Sequence, residues 1–166
     1  MKIKKCPSEK ILKTLFYYKE GHLYWKKNYN KMKRNDLAGY VRLNGYTEIS
    51  VNGESHLSHR IIWTLLKGEI PDNFQVDHID EVKSNGKIEN LRLSSHTQNK
   101  QNQGKHKSNT SGYKGVNWSK QKCKWECRIR ANGSRIHLGF FDNIELANNA
   151  YTKAAIEYHG EFANFG

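Results

Sequence analysis

The sequence predicts an α+β protein of two small domains joined by a basic linker. Between residues 74 and 99, a strand, a turn, a second strand and a short helix follow one another. Further along, alternating apolar and polar residues indicate antiparallel strands, and an apolar period of 3.6 residues at 144–158 indicates one helix. We therefore expect domains at residues 1–99 and 111–166, with the linker at 100–110.

The N-terminal third is expected to form a β-rich scaffold. Residues 9–18 are compatible with a short helix, and residues 22–25 with a strand. The Asn-Gly pairs at 44–45 and 52–53 favour tight turns, because both residue types adopt positive φ readily. They bracket residues 46–51, which fit a strand of a meander.

A helix is predicted at residues 58–67, where apolar residues recur at helical spacing before Gly68. His56 and His59 stand three residues apart near its start. A metal site would need further ligands, which the neighbouring sequence does not supply. We therefore expect His59 to pack beside the functional site or to contact a phosphate.

The most informative residues lie near the middle of the chain, where Asp77 is followed directly by His78. Asn90 and Asn99 follow them at positions where a second strand and a helix can return. A carboxylate and an amide oxygen suit Mg²⁺, and an imidazole can take a proton from water near neutral pH. The Asp-His pair alone would fit an ordinary surface turn, but the four residues together indicate a site that hydrolyses a phosphodiester.

The flanking sequence explains how these residues could meet. The pair Asn85-Gly86 favours a turn, because Asn-Gly readily adopts positive φ. Leu91 and Leu93 alternate with a polar residue, as in a half-buried strand. Ser94-Ser95 suits the N-cap region of a short helix, so the sequence predicts a strand, a turn, a strand and a helix around one point.

This part of the chain resembles the HNH nucleases, and most of all the phage and intron-encoded homing endonucleases. The resemblance covers about residues 55–102 and implies a ββα-metal fold. It implies that Asp77 and Asn99 bind Mg²⁺ or Mn²⁺. His78 would be the general base, and Asn90 would orient His78 or the loop that holds it. The implied reaction is hydrolysis of double-stranded DNA at a recognised site, leaving a 5′ phosphate and a 3′ hydroxyl.

The charge of the chain indicates a polyanionic partner. Lys and Arg number 28 against 16 Asp and Glu, for a formal net charge of +12. Residues 100–135 carry ten Lys or Arg and one acid, whereas residues 136–166 carry one Lys and four acids. A solvated face is the ordinary explanation of a charge run, but Trp118 and Trp125 lie within this one, and we expect it to contact DNA. The linker either follows phosphates or is a tether without contacts.

The basic stretch is predicted to form one face of a small three-stranded antiparallel sheet. Cys127 and Ile129 alternate with arginines, and the pair Asn132-Gly133 marks a hairpin turn. The apolar face of the sheet needs a cover, which the helix at 144–158 supplies along one stripe. The residues of this stripe are Ala147, Ala150, Tyr151, Ala154, Ala155 and Tyr158.

Residues 111–166 resemble the DNA-binding domain of the plant ethylene-response-factor proteins, in motifs such as Ser111–Val116 and Leu138–Asp142. In that family the sheet enters the major groove of duplex DNA. By position, the residues expected to contact DNA are Lys114, Asn117, Lys124, Arg128, Arg130, Arg135 and His137. Lys114 and Asn117 stand where the family has arginine, so its base preference does not transfer.

The remaining features bear on a zinc site, a membrane span and the cellular location, and they leave two other functions open. Cys123 and Cys127 have no second pair with which to complete a zinc site, and no long apolar run predicts a membrane span. We expect a reduced, cytoplasmic protein, encoded by a phage or a mobile element, that acts on DNA as a monomer. A non-catalytic DNA-binding regulator and an RNA-cutting nuclease stay possible, and so do nicking and double-strand cleavage.

Overall fold

A computed structural model describes residues 5–166, which divide into two compact units. The first unit ends at His96, and the second comprises Thr97–Gly166. Each unit has its own cluster of buried apolar side chains. Within residues 5–166 we find no helix with the length and apolar character needed to cross a membrane.

The first unit begins with a helix and a β-hairpin. These are α1 (Glu9–Leu15), β1 (Phe16–Lys19) and β2 (His22–Trp25), and the two strands are antiparallel. The predicted strand at 22–25 is confirmed, but the predicted helix at 9–18 is wrong beyond residue 15. The chain extends there because Phe16 pairs with Trp25 and buries its ring against the indole, with centroids 4.6 Å apart.

A three-stranded antiparallel sheet and a helix follow. The strands are β3 (Tyr40–Val41), β4 (Thr47–Val51) and β5 (Glu54–Leu57), and the helix is α2 (Ser58–Lys67). Both the predicted meander and the predicted helix at 58–67 are confirmed. Helix α2 buries Ile61 and Ile62 in the core of the first unit, and this burial fixes the orientation of the histidine at its start.

The central hairpin consists of β6 (Phe74–His78) and β7 (Leu91–Ser95), with a 3₁₀ turn at Ile88–Asn90 before β7. The predicted strands are confirmed, but the reason given for Gly86 is wrong. Gly86 does not adopt positive φ. A Cβ at Gly86 would lie 2.3 Å from the carbonyl oxygen of Gly21, so the position needs glycine because two backbone segments approach closely.

The second unit contains the predicted sheet and helix. Helix α3 (His96–Asn102) leads into it, and β8 (Val116–Ser119), β9 (Lys124–Ala131), β10 (Ser134–Phe141) and α4 (Ile144–His159) follow. The sheet is antiparallel, with β9 in the centre and α4 packed against it. Asn143 caps α4 by accepting a hydrogen bond of 2.6 Å from the Glu145 amide, as its position before the helix favours.

Two details of this unit differ from the predicted pattern. Tyr158 is 38% exposed, whereas the next residue, His159, is buried with its Nε2 atom 2.9 Å from the Arg130 carbonyl oxygen. A register shift between His137 and Gly139 interrupts the alternation of β10. Because of this shift, Phe141 packs against the apolar cluster of the unit.

The predicted linker at 100–110 makes contacts within the second unit. Its first three residues belong to α3. Lys105 Nζ donates to the Gly112 carbonyl at 3.0 Å, and Asn109 Nδ2 donates to the Tyr113 carbonyl at 2.8 Å. These bonds tie the segment to the start of the sheet domain.

Candidate functional site

Asp77 and His78 are the last two residues of β6, where the strand meets its loop. Arg92 on β7 lies opposite Asp77 in the register, and its Nε atom is 3.4 Å from Asp77 Oδ2. The side chains of this pair are only about one tenth exposed, 10% for Asp77 and 11% for Arg92. The guanidinium therefore offsets part of the cost of removing the carboxylate from water. Sequence reasoning missed Arg92, because only the register of β6 and β7 places it opposite Asp77.

The imidazole of His78 packs among aromatic rings. His59, from the start of α2, lies edge-on to it with ring centroids 4.7 Å apart. Tyr46, just before β4, stands 5.5 Å from His59 and 6.2 Å from His78, again between centroids. His59 therefore packs beside the candidate general base, which is one of the two roles expected for it.

Burial keeps both imidazoles neutral. It lowers the pKa of His59 to about 3, and repulsion from the Arg60 guanidinium, and from the His78 ring whenever that ring is protonated, acts in the same direction. Burial also lowers the pKa of His78; Asp80 opposes this shift and Lys83 adds to it. A neutral imidazole has a lone pair with which to accept a proton, so His78 is in the form that a general base requires.

Asn90 holds the loop that follows His78. Its Nδ2 atom donates to Asp80 Oδ1 at 2.8 Å and to the Asn85 carbonyl at 3.1 Å. Its Oδ1 atom accepts from the Asp80 amide at 3.1 Å. The side chain thus joins both ends of the loop.

Asp80 is a further member of this loop that sequence reasoning missed. Burial alone would raise the pKa of its carboxyl group, but hydrogen bonds from Asn85, from the Val82 amide and from Asn90 outweigh burial and lower it. The Asp80 Oδ2 atom accepts from Asn85 Nδ2 at 2.6 Å. An Asp side chain commonly closes a turn by accepting a hydrogen bond from the backbone amide two residues later, here that of Val82. The Asp in the predicted turn region was the available signal.

The two candidate metal ligands lie in different units, Asp77 on β6 and Asn99 on α3. Among the residues that the structure describes, no three His, Cys, Asp or Glu side chains cluster as a metal site would require. A ligand set of one carboxylate and one amide differs from such clusters. It suits Mg²⁺, which keeps several water ligands and prefers oxygen.

In the second unit, the register gathers six of the seven predicted DNA-contact residues on one face of the sheet. Arg128 pairs with His137, and Arg130 pairs with Arg135. Cys127 and Ile129, which alternate with these residues, are buried under α4. The six residues on the open face are Asn117, Lys124, Arg128, Arg130, Arg135 and His137.

Lys114 is the exception. It lies outside the strands, and its Nζ atom donates to the carbonyl oxygens of Gln101, Gln103 and Asn164 at 2.8, 2.6 and 3.2 Å. Since an ammonium group has three N–H donors, these bonds occupy all of them. Within this unit, Lys114 connects the segment before the sheet to the chain after α4.

Glu126 is an acid in the centre of the basic face. Its carboxylate is paired with the Arg128 guanidinium and lies 3.3 Å from His137 Nδ1. The Glu126 side chain is 15% exposed, less than either partner. Sequence reasoning counted it only as the single acid in a charge run, because its partner on β10 depends on the register.

Comparisons with known proteins support a nuclease. A family model described as HNH endonuclease matches residues 56–101. Protein 3.8 of Escherichia phage T7 is 36% identical over 107 residues, which are 64% of this chain and 88% of that protein. An uncharacterized HNH endonuclease, L560, of Acanthamoeba polyphaga mimivirus is 35% identical over 125 residues, 75% of this chain and 64% of that protein.

A shorter similarity reaches plant proteins. APETALA2-like protein 2 of Oryza sativa subsp. indica is 37% identical over 54 residues, 32% of this chain and 12% of that protein. The AP2-like ethylene-responsive transcription factor TOE2 of Arabidopsis thaliana is 35% identical over 54 residues, 32% of this chain and 11% of that protein. No solved structure matches the chain.

Proposed function

The chain belongs to the HNH endonuclease family, and we propose that it hydrolyses phosphodiester bonds of double-stranded DNA in a metal-dependent reaction of the homing type. The main support is the environment of His78. Its imidazole is buried and neutral, and it follows Asp77 directly within the segment that matches the family. His59 and Tyr46 restrain its ring, so the proton acceptor is held in place before the substrate binds.

In the proposed reaction, His78 takes a proton from a water molecule. The water oxygen attacks the phosphorus atom, the bond to the 3′ oxygen breaks, and that oxygen takes a proton from solvent, so the products carry a 5′ phosphate and a 3′ hydroxyl. Asn90 acts as a positioning residue, because it fixes the loop after His78 through Asp80 and Asn85. A positioned general base contributes about 10²–10⁴-fold to a rate.

We propose that Asp77 and Asn99 supply the protein ligands for Mg²⁺ or Mn²⁺, as the resemblance implies. The donor set fits a hard cation, since both side chains offer oxygen atoms. When bound, such an ion stabilises negative charge on the phosphate and on the departing oxygen. Arg92 would share the Asp77 carboxylate with the ion and keep the unliganded carboxylate from repelling the DNA backbone.

We also propose that residues 111–166 are a DNA-binding domain of the ethylene-response-factor type. The likeness to the plant proteins and the cationic face of the sheet support this proposal.

One active site in each chain fits cleavage of one strand by a monomer. A double-strand break would need a second chain or a second event.

Cleavage of DNA from the source genome tests the proposal. Supercoiled DNA is incubated with the protein and Mg²⁺ or Mn²⁺, with EDTA, and with His78→Ala. His22→Ala, which changes an exposed histidine of the first unit, is the matched control. We expect nicked or linear products that need metal and decrease about 10²–10⁴-fold in His78→Ala. End mapping then gives the product chemistry and the number of strands cut.

Two results would contradict the nuclease proposal. DNA that is retarded but uncut, equally by the wild type and by His78→Ala, would identify a DNA-binding protein without catalysis. Faster cleavage of RNA than of duplex DNA in a parallel incubation would identify a ribonuclease.

A further inference from the structure

We propose that the first unit has a second DNA-contact element, in which Lys83 binds a backbone phosphate and Leu43 packs against the same duplex. We call Leu43, Asn44 and Lys83 the turn cluster. The inference rests on the proposed nuclease function and extends it to the substrate surface next to the scissile bond.

Leu43 is held in solvent by a well-defined turn. The Gly45 amide donates to the Arg42 carbonyl and the Arg42 amide donates to the Tyr46 carbonyl, both at 2.8 Å. These bonds close the connection between β3 and β4, and Leu43 at its tip is fully exposed, at 112%. Tyr40 and Val41 on the adjoining strand are 56% and 65% exposed. A group of exposed apolar side chains is typical of a binding surface.

Lys83 supplies a cation beside this tip. Its Nζ atom donates to the Asn44 carbonyl oxygen at 3.0 Å and stands 4.9 Å from the centre of the Tyr46 ring. Neither a carbonyl oxygen nor an aromatic face carries a full negative charge, so these contacts position the ammonium without neutralising it. Arg42 differs in this respect, because its guanidinium forms an ion pair with Glu48.

The turn cluster lies close to the candidate general base within the same unit. Tyr46 joins them, since its ring is 4.9 Å from Lys83 Nζ and 6.2 Å from the ring of His78. The ammonium is therefore at most about 11 Å from His78, which is roughly the length of three base-pair steps of 3.4 Å. A duplex with its scissile phosphate at His78 brings a neighbouring phosphate within reach of Lys83.

A cation adjacent to an exposed leucine suits the chemistry of duplex DNA. Phosphates take the charge and fix the position of the protein on the duplex, while sugars and base edges accept apolar contacts, and leucine is among the residues that proteins wedge against base steps. An interface between two copies of the chain would also cover Leu43. Such an interface would not need the ammonium of Lys83, so a change at Lys83 distinguishes binding of DNA from binding of a second copy.

The test measures binding of the full chain to a random-sequence 40-bp duplex at several NaCl concentrations, in EDTA so that DNA is not cut. The variants are Lys83→Gln and Leu43→Ala, and the matched controls are Lys67→Gln and Leu66→Ala at the exposed end of α2. Loss of one phosphate contact should lower the log–log salt slope by about 0.9. Leu43→Ala should weaken binding about threefold or more with an unchanged slope, because an apolar contact releases no counterions.

The possible results separate this inference from the nuclease function. If Lys83→Gln and Leu43→Ala bind DNA like the wild type while His78-dependent cleavage persists, the inference is wrong and the nuclease stands. If Leu43→Ala turns a dimer into a monomer in sedimentation without changing DNA binding, the turn cluster is a self-association surface and the inference fails again. If the wild type neither binds nor cuts DNA, both proposals fail.

Discussion

The imidazole of His59 lies edge-on to that of His78, with ring centroids 4.7 Å apart and ring planes at 66°. His59 is the second residue of α2 and His78 ends β6, so a helix earlier in the chain sets the orientation of the candidate general base. Because the pKa of His59 is lowered to about 3, its ring stays neutral and acts here through shape rather than charge.

His59→Ala should lower kcat for DNA cleavage about 10- to 100-fold, because His78 would lose the ring that restrains it and a small displacement of a catalytic group is costly. KM should change little, since the His59 ring, only 6% exposed, offers little surface for binding DNA. Steady-state cleavage of a defined duplex separates the two constants. A rise in KM with kcat intact would instead indicate that His59 contributes to DNA binding.

The same buried ring predicts a pH dependence of stability. In the unfolded chain a histidine has its ordinary pKa, about 6.5, whereas the folded-state pKa of His59 is about 3. As pH falls from about 6.5 toward 3, the unfolded state gains a proton that the folded state does not, so stability is lost by up to about 1.4 kcal/mol per pH unit. Chemical denaturation at pH 7 and pH 5 should show a smaller loss for His59→Phe than for the wild type. Equal losses would contradict the assignment.

Local patterns predicted those elements whose apolar residues face one side. The helix at 58–67 and the strand at 22–25 were predicted with their observed bounds. Their core-facing residues form one stripe of the helix or occupy alternate positions of the strand. The hairpin turn at Asn132-Gly133 was found because both residues adopt positive φ. Residues 16–18 were wrongly assigned to a helix, although Phe and Tyr favour strands and these residues pair with β2.

The parts of the site that were not predicted depend on contacts between distant residues. Asp77 meets Arg92 only through the register of two strands, and Lys114 meets the Asn164 carbonyl fifty residues away. Lys114 was expected to contact DNA from its position in the resemblance, which carries no sign that its ammonium bonds to three carbonyls. Composition indicates a basic surface, but it does not tell which cations face the solvent.

Asn90→Ala should reduce both stability and cleavage. The change removes three hydrogen bonds that join Asp80 and the Asn85 carbonyl, and an unsatisfied polar group costs about 1–3 kcal/mol. A loosened loop after His78 should also lower kcat, with less effect on DNA affinity. Thermal unfolding and cleavage rates check both effects against Asn149→Ala, which changes an exposed amide on α4. A variant as stable and active as the wild type would exclude a positioning role for Asn90.

Glu126→Gln should strengthen binding to random-sequence DNA and reduce discrimination between sequences. The carboxylate pairs with the Arg128 guanidinium and lies beside His137 on the open face of the sheet, so it partly neutralises the guanidinium and restrains both side chains. Without it, the salt dependence of binding should become steeper, because more positive charge is available to phosphates. Affinity for random duplexes and enrichment from a random pool measure the two effects, with Glu157→Gln on α4 as the control. Weaker binding to every duplex would point to a structural role instead.

Gly86→Ala should destabilise the first unit through a steric clash. A Cβ at this position would stand 2.3 Å from the Gly21 carbonyl oxygen and 2.8 Å from Ile62 Cδ1, and overpacking of this kind costs about 1–3 kcal/mol or more. Ser84→Ala, at an exposed position of the same loop, should leave the free energy of unfolding nearly unchanged. The two close contacts can be separated by adding Ile62→Val, which removes the Cδ1 atom. If the double-mutant cycle shows only partial rescue, the remaining cost lies in the backbone contact with Gly21, and full rescue would place the whole clash on Ile62.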